Sequence, residues 1–379
     1  MAQKVAKAQR GASALPAPLL EGSVRLESDA VLILDRRVFP HQVAWVAARS
    51  AEEVADAMRR MVTQSTGPIF AALAGLSLTA RQHAAGAGAG YRSGSVGAVA
   101  SAVRRAGALL AGARPTNNSV GDVVRAVLGA LDAALAQARA DGDAGGDGAG
   151  VAAAVQRAAE EQAAFFRRRC RALGEHAAAL VPDGALLLTH CWMDTYLIEF
   201  VRAAARAGKR YRYVATETRP YLQGARLTAH TLAEMGQEVT LITDGMAAAV
   251  LGPGSALGRV EALVTAADRV SMDGHVFNKV GTLGAALAAS AFGVPYYALI
   301  QAPDPLSPTA GDVVVEQRDG AEVLGVAGVR TASPLVARGY YPAFDVTPPR
   351  FVTRIVTDRG AFEAARVAEY FDGGRGPAH

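Results

Sequence analysis

The sequence is poor in cysteine and aromatic residues, and it has no long apolar run. It has two cysteines, Cys170 and Cys191, too few for a disulfide framework or a cysteine-rich zinc site. No stretch reaches about 18 apolar residues without a charge, and the start of the chain lacks the apolar centre of a signal peptide. We therefore expect a cytoplasmic protein that does not enter a membrane.

Strong charge is missing as well. The net charge of +4 is dispersed apart from Arg167–Arg169 and Arg171, so no basic stripe indicates a nucleic-acid partner. His190 has no second or third ligand at metal-binding spacing, so a structural histidine is favoured over a metal site. What the chain does have is 51% apolar residues in a length of 379, enough for a sizeable core and two domains.

The first half of the chain predicts a mainly helical domain, residues 23–180, after a flexible tail, residues 1–22. "VLILDRRVFPHQVAWVAA" predicts two short strands around a turn at Phe39-Pro40. "SAEEVADAMRR" opens with a capping box, Ser50 with Glu53, and starts the first helix. Further helices are expected at 67–82, 94–112, 119–140 and 151–180, with flexible glycine-rich loops at 84–94 and 140–150.

From residue 181 the pattern changes to short apolar strands separated by helical stretches. The strands are "ALLLTH", "RYRYVATE", "VTLITD", "ALVTAAD" and "PYYALI". Buried strands alternating with helices predict an α/β domain with a parallel sheet covered on both faces, residues 181–368. Ligands of such sheets bind at the carboxyl ends of the strands. Four of these ends carry polar groups: His190-Cys191, Glu217-Thr218-Arg219, Asp244 and Asp268.

Two of these strand-end residues have a chemical and a structural interpretation. Cys191 precedes a predicted helix, whose N-terminus would lower a thiol pKa, but a free cysteine is also a common buried apolar residue. Asp268 as a buried carboxyl would have a raised pKa and could act as a general acid. Its structural alternative is a helix cap or a turn residue.

Other polar residues have the same two interpretations. Asn278-Lys279, followed by Gly281-Thr282, looks like a helix start that holds a phosphate, or a solvated lysine beside a cap. Arg219 and Gln223 in "ETRPYLQGARLTA" suit hydroxyls or a phosphate, although Arg219 has an alternative ion pair with Glu217. Arg114 in "RPTNNS" likewise suits an anion or a carboxylate. Asp345 in "FDVTPP" is more typical of a turn or a cap.

Taken together, these fragments resemble the methylthioribose-1-phosphate isomerases. That family is related to ribose-1,5-bisphosphate isomerases and to the regulatory subunits of translation initiation factor 2B. The resemblance runs in order from "LILDRRVFP" to "YPAFDVTPPRFVTRIVTDRG", residues 32–360. Its most specific segments are "LTHC", "ETRPYLQGARLTA", "TLITDGMAA", "ADRVSMDGHVFNKVGT" and "PAFDVTPP".

The resemblance implies a helical N-terminal domain with a small β element, a Rossmann-like C-terminal domain, and a homodimer. It also implies isomerisation of an aldose 1-phosphate to a ketose 1-phosphate, a step of methionine salvage, without metal or organic cofactor. The family's catalytic cysteine and aspartate fall on Cys191 of "THC" and Asp268 of "ADR". Its substrate-binding residues fall on Arg114, Gln223, Asn278 and Lys279.

The chemistry agrees with this assignment. A sugar with phosphate on its anomeric oxygen opens only when an acid protonates the ring oxygen, a role that suits Asp268 in a dry site. Cys191 as thiolate would then move a proton from C2 to C1. Lys279, Arg114 and helix-end amides would hold the phosphate. A hydride shift from C2 to C1 is the alternative route.

The chain departs from the family in two places. The family's phosphate-binding "RGAP" loop is replaced by "TQSTGP", so Gln64 stands where an arginine is expected, and the hydroxyls of Ser65 and Thr66 are left to bind the anion. The glycine-rich segment expected after "HCN" is also missing, and Trp192 and Met193 follow Cys191 instead. These departures predict a changed 5-substituent. They leave ribose 1,5-bisphosphate as an alternative substrate, and a non-catalytic sugar-phosphate or nucleotide-binding protein as an alternative function.

Overall fold

The computed structural model describes residues 19, 22–85, 94–114, 118–142 and 146–373. The expected flexible tail, apart from residues 19 and 22, and the central parts of both glycine-rich loops lie outside these residues. The chain divides into two compact units, Ala17–Arg168 and Arg169–Ala378. The expected domain boundary between residues 180 and 181 stays a prediction.

The first unit combines a small antiparallel sheet with long helices. The strands, in the order β1-β2-β3, are β1 (Val24–Leu26), β2 (Val31–Leu34) and β3 (Trp45–Ala48). The predicted strand pair is β2 with β3, and β1 is a third strand that the sequence analysis did not predict. The helices are α1 (Ala51–Arg59), α2 (Gly67–Ala84), α3 (Val96–Gly112), α4 (Asn118–Ala140) and α5 (Ala149–Leu180), which continues into the second unit.

Local capping sets the start of α1. The Ser50 hydroxyl accepts a hydrogen bond from the Glu53 N–H at 3.3 Å, as predicted. The Glu53 carboxylate accepts from the N–H of Arg49 at 2.7 Å, one residue before the cap. The box is therefore closed one residue earlier than the sequence motif implies, and it still satisfies two N–H groups at the helix start.

The second unit is built on a seven-stranded sheet, β15-β14-β10-β7-β4-β5-β6. All neighbours pair in parallel except β14 with β15. The strands of this unit are β4 (Leu186–Thr189), β5 (Arg212–Thr216), β6 (Glu238–Ile242), β7 (Ala262–Ala266), β8 (Arg269–Val270), β9 (Val276–Lys279), β10 (Tyr296–Leu299), β11 (Gly325–Val326), β12 (Val329–Arg330), β13 (Phe344–Thr347), β14 (Arg354–Thr357) and β15 (Gly360–Phe362).

Helices cover this sheet. They are α6 (Thr195–Arg206), α7 (Ala229–Glu234), α8 (Ala247–Leu251) and α9 (Thr282–Ala291). A buried core that includes Leu188, Leu263 and Ala298 of the sheet packs with α8 and α9. A side chain at Gly174 of α5 would lie 2.6 Å from the Glu199 carbonyl of α6, so these helices cross at backbone contact. None of the helices in the described part of the chain is long and apolar enough to cross a membrane.

The order of the parallel strands confirms the predicted fold class. Numbered along the chain, the six parallel strands lie in the order 6-5-4-1-2-3, which is that of a Rossmann-like doubly wound sheet. The small sheet β13-β9-β8 was not predicted, because β13 pairs with β9 from a distant part of the chain. The helix start expected at Asn278-Lys279 followed by Gly281-Thr282 is confirmed, since Gly281 precedes α9 and the helix begins at Thr282, while Asn278 and Lys279 themselves end β9.

Candidate active site

The site lies where the strand order of the large sheet reverses. β4 and β7 are neighbours, and the sheet grows outward from them in opposite directions. Cys191 lies two residues beyond the end of β4, and Asp268 two residues beyond the end of β7. A crevice forms at this point in open parallel sheets, because the connections on its two sides lead to opposite faces. The topology therefore brings the two expected catalytic residues to one crevice.

The backbone around the crevice is strained. Four residues other than glycine have positive φ there: Cys191 (69°), Asp194 (52°), Thr218 (63°) and Leu222 (63°). Such conformations cost about 1–3 kcal/mol each and persist only when the surroundings impose them. Strain of this kind clusters at sites of function, which supports a functional role for this crevice.

The surroundings of the Cys191 thiol shift its pKa in opposite directions. Burial raises its pKa to about 12, the nearby carboxylate of Asp268 acts in the same direction, and the positive charge of Lys279 lowers it. The backbone N–H of Trp192 also stabilises the thiolate by a hydrogen bond. The expectation that the helix N-terminus would lower the pKa was wrong, because desolvation outweighs these contributions.

Lys279 is enclosed by aromatic rings. Its ammonium group lies 4.7 Å from the ring centre of Phe344 and 5.7 Å from that of Tyr341, and only 5% of the residue is exposed. Burial lowers its pKa, and the charges of Cys191 and Asp268 oppose that shift. Aromatic faces stabilise a desolvated cation. The charges of Lys279, Cys191 and Asp268 thus act on one another.

Asp268 is exposed to solvent, contrary to the dry environment expected for it. It follows the end of β7 and precedes β8, and its N–H donates to the Phe277 carbonyl at 2.9 Å. The short sheet β8-β9 therefore fixes its backbone and leaves the carboxylate at the open side of the crevice.

Two of the expected substrate-binding amides are buried. Gln223, 2% exposed, has a side-chain oxygen with no hydrogen-bond partner in the described structure. A buried polar atom without a partner is costly, and a bound ligand would satisfy it. The Asn278 side chain donates to the Thr282 hydroxyl at 3.0 Å, which in turn donates to the Lys279 carbonyl at 2.7 Å.

His190 is a structural residue, as its spacing indicated. Its Nε2 lies 3.0 Å from the Val280 carbonyl, which can only accept, so this nitrogen carries the proton. Its Nδ1 lies 2.6 Å from the Thr216 hydroxyl and 3.8 Å from the Asp244 carboxylate. Burial lowers the His190 pKa. The neutral ring thus ties the end of β4 to the end of β5 and to the loop before α9.

Asp345 caps α9, as its sequence context indicated. Its carboxylate accepts from the N–H groups of Gly281 at 2.7 Å and Leu283 at 3.1 Å. Two N–H groups at the start of α9 are therefore taken by a side chain and are not free to hold the substrate phosphate, as had been expected of the amides at this helix end. Burial raises the Asp345 pKa to about 6, although both N–H bonds lower it.

The other expected contacts belong to the helical unit. Gln64, Ser65 and Thr66 immediately precede α2, and Ser65 has a φ of 57°. The carbonyl of Gln64 accepts from the buried Arg36 guanidinium at 2.8 Å. Arg114 lies just after α3, and its guanidinium contacts the sulfur of Met61 at 2.6 Å. The "TQSTGP" loop is thus an ordered turn fixed by an arginine from elsewhere in the unit.

Several site residues were not found from the sequence. Tyr341 and Phe344 enclose Lys279, and Thr218 and Thr228 bind the backbone of Cys191. Nothing local marks the aromatic pair, which the β9–β13 pairing brings to Lys279. The threonines lie within "ETRPYLQGARLTA", the segment in which Arg219 and Gln223 were the expected binding residues. Arg219 donates to the Val323 carbonyl at 3.2 Å, an interaction not foreseen.

Comparison with known proteins decides the family. The initiation factor 2 subunit family model matches residues 68–364. The methylthioribose-1-phosphate isomerase of Anaeromyxobacter sp. is 36% identical over 352 residues, covering 90% of this chain and 93% of the relative. A 5-deoxyribose 1-phosphate isomerase of Moorella thermoacetica is also 36% identical, over 87% of this chain and 91% of the relative. The chain belongs to the initiation factor 2 subunit family.

Solved structures of this family share the fold. The 5-methylthioribose 1-phosphate isomerase of Pyrococcus horikoshii superposes with a TM-score of 0.76 and 26% identity, over 92% of this chain and 94% of that one. The translation initiation factor eIF-2B subunit delta of A. fulgidus has a TM-score of 0.73 and 30% identity, over 90% and 95%. The curated relatives matched over most of their length are isomerases, and the chain is an enzyme of this kind.

Proposed function

We propose that this protein is an aldose–ketose isomerase that converts a 5-substituted ribose 1-phosphate into the corresponding ribulose 1-phosphate. Methylthioribose 1-phosphate and its 5-deoxy analogue are the favoured substrates, in line with the names of the two relatives at 36% identity. The observation that carries the proposal is the arrangement of Cys191 and Asp268 on the two strands that flank the order reversal, with Lys279 acting electrostatically on both.

In the proposed reaction Asp268 donates a proton to the ring oxygen as the bond from C1 to that oxygen breaks. The Cys191 thiolate then removes the proton from C2, which leaves an enol phosphate between C1 and C2. Return of that proton to C1, with transfer of the C2 hydroxyl proton to the Asp268 carboxylate, gives the ketone and restores both residues. Positioned proton transfer of this kind typically accelerates a reaction about 10²- to 10⁴-fold.

Lys279 has two tasks in this proposal. Its charge is the main influence that favours the thiolate of Cys191 against burial. Its ammonium group also offers the sugar phosphate a desolvated cation, whose interactions are stronger than in water. Asn278 and the unsatisfied oxygen of Gln223 bind sugar hydroxyls.

Further substrate contacts are proposed for residues of the helical unit. Gln64, Ser65, Thr66 and Arg114 bind substrate, an assignment that rests on the family motifs at those positions. With Gln64 in place of an arginine, the loop before α2 offers hydroxyl and amide groups and no charge of its own. A single charged hydrogen bond contributes on the order of 1.5–3 kcal/mol, so the affinity for phosphate would be lower.

We also propose that the protein acts as a homodimer. The segment between β10 and β13 exposes the large apolar side chains of Leu306, Val314, Val329, Leu335 and Tyr340. Several exposed large apolar side chains on one segment are typical of interaction surfaces. Cytoplasmic location and a place in methionine salvage stay predictions.

The alternative function expected from the sequence, a non-catalytic protein of the initiation-factor type, is disfavoured by the isomerase names of the relatives that the chain covers over most of their length. Its remaining support is the likeness to the eIF-2B delta subunit at 30% identity and the missing arginine at position 64. Ribose 1,5-bisphosphate is the alternative substrate if the protein is an enzyme of a different specificity. Both alternatives are separated from the main proposal by one experiment.

That experiment is a phosphorus NMR time course with methylthioribose 1-phosphate, 5-deoxyribose 1-phosphate and ribose 1,5-bisphosphate. We expect wild type and Cys170→Ala to convert one of the first two sugars, and Cys191→Ser to convert none. Cys170 is fully buried and is a matched control for the loss of a thiol. In heavy water, deuterium reaches C1 of the product only if the proton held by the Cys191 thiol exchanges with solvent before its return, so deuterium at C1 demonstrates proton transfer as against a hydride shift. A folded wild-type protein that converts none of the three sugars would contradict the proposal and favour the binding protein.

A further inference from the structure

Cys191 is held by two threonines from one segment of the chain. Its N–H donates to the Thr218 hydroxyl at 3.0 Å, and its carbonyl accepts a short hydrogen bond from the Thr228 hydroxyl. Both threonines are completely buried. Both backbone polar groups of the cysteine are therefore fixed by side chains rather than by a strand or a helix.

These hydrogen bonds impose a conformation that cysteine does not adopt by itself. Cys191 has a φ of 69°, in the left-handed region that disfavours residues with a side chain. A residue stays there only if its surroundings fix it. The two threonine hydroxyls are groups that do so, one on each side of the strained residue.

The segment that carries the threonines is itself built for this contact. Thr228 ends a π-helical turn, Gly224–Thr228. Such turns are rare in proteins, and those that occur are often found at functional sites. A buried helical threonine commonly donates to its own helix four residues back, whereas Thr228 donates to Cys191. A side chain at Gly224 would lie 1.7 Å from the Thr216 carbonyl and 2.7 Å from the Thr218 hydroxyl, so only glycine lets the turn pack here.

Thr218 is fixed in the same way. It has a φ of 63°, and its N–H donates to the Asp244 carboxylate at 2.7 Å. The N–H of Arg219 donates to the other oxygen of the same carboxylate at 2.6 Å. The Asp244 carboxylate accepts both backbone N–H groups and so fixes the position of this loop.

We propose that Thr218 and Thr228 are positioning residues that aim the Cys191 thiol into the crevice. They act through the backbone of Cys191 and do not touch the reacting atoms. This inference rests on the proposed function for its effect on turnover. It also has a readout that is independent of turnover, the reactivity of the thiol itself.

The variants are Thr218→Val and Thr228→Val, which keep the side-chain shape and remove the hydroxyl, with Thr218→Ser and Thr228→Ser to restore it. Thr231→Val is the matched control. Thr231 lies in α7, is completely buried, and has a hydroxyl without a hydrogen-bond partner in the described structure. Each variant is first checked by circular dichroism and thermal unfolding.

The first readout is the rate at which iodoacetamide alkylates Cys191, followed by mass spectrometry over a range of pH. Cys191 is half-buried and Cys170 fully buried, so the two thiols are distinguishable. We expect both valine variants to change the alkylation rate and its pH profile, and the serine variants and Thr231→Val to keep the wild-type profile. A profile unchanged in both valine variants would overturn the inference.

The second readout is turnover. We expect the valine variants to lower kcat by about 10- to 100-fold with KM little changed, because a displacement of about 1 Å of a reacting group can cost ~100-fold. Serine variants that fail to restore the rate would overturn the inference, since the methyl group would then be what matters. If no sugar phosphate is converted by wild type but alkylation responds as expected, the proposed function fails and the positioning role stands.

Discussion

The two units of the chain differ in how closely they follow the motifs of the family that the sequence resembles. In the unit Arg169–Ala378, the motif residues Cys191, Asp268 and Lys279 influence one another's charges, and the backbone around them is strained. In the unit Ala17–Arg168, the loop before α2 has Gln64 where the family resemblance predicts an arginine. If the proposed roles hold, the comparison teaches that reaction chemistry and anion binding are carried by separate segments, which can change independently.

Arg36 shows how the altered loop is maintained. Its guanidinium is buried and donates to the Gln64 carbonyl and, at 3.0 Å, to the Ser23 hydroxyl. A side chain at Gly67, the first residue of α2, would lie 3.1 Å from the same guanidinium. The loop is thus closely packed, and its departure from the family motif is a rebuilt turn rather than a loss of structure.

The largest expected effect is that of Asp268→Asn, which tests the unit Arg169–Ala378. The amide cannot donate the proton that opens the sugar ring, so we expect kcat/KM to fall by about 10²- to 10⁴-fold in a coupled or NMR assay. Asp273→Asn is the control, because Asp273 lies in the same region and its carboxylate bonds Ser271 and His275. Equal losses in the two variants would show that the effect is structural, and the difference between the two units would disappear.

A smaller effect is expected from Gln64→Arg, which restores the family residue in the helical unit. One added charged hydrogen bond to phosphate would lower KM by about 10- to 100-fold, with kcat unchanged, since it binds ground state and transition state alike. Gln42→Arg adds the same charge at an exposed position of the unit and serves as the control. A variant with a lower kcat and an unchanged KM would mean that the loop takes part in the reaction step and not in binding alone.

The smallest expected effect is on the pH dependence of the free energy of unfolding, through Asp345 at the start of α9. Burial raises the Asp345 pKa from its ordinary value of 3.8 to about 6, so between these values the folded state binds more protons than the unfolded one. The free energy of unfolding should therefore fall as the pH rises from about 4 to about 6 and level off above it. We expect Asp345→Asn to reduce this slope in urea unfolding at pH 4, 5, 6 and 7. An unchanged slope would show that Asp345 is not the titrating group.

Much of the fold could be predicted because its helices and parallel strands follow from the pattern of apolar residues along short stretches of the sequence. The periodic segments gave the helices α2 to α5 to within about two residues at most ends, as expected for strong amphipathic or buried periods. Strands β4 to β7 and β10 were recognised because each is a short apolar run between helices. The sheet β13-β9-β8 was missed because such short strands pair over long distances in sequence and have no period of their own.

The site was predicted in its residue types and not in its environment. Cys191 and Asp268 were chosen because they follow strands, and the sheet topology brings those strands together. The pKa of Cys191 was expected to fall and is raised, and Asp268 was expected to be buried and is exposed. Burial depends on what packs over a residue, and the neighbours in sequence do not reveal that.

The sequence by itself determined the long helices of the first unit and five of the parallel strands of the second, because hydrophobic period, capping and strand composition act over a few neighbouring residues. It also determined the family, through motifs kept in order over most of the chain. Only the tertiary structure decided that Phe344 and Tyr341 enclose Lys279, that Asp345 occupies the first amides of α9, and that two threonines bind Cys191. These contacts join residues far apart in sequence, and they form only once the sheet has set the distance between them.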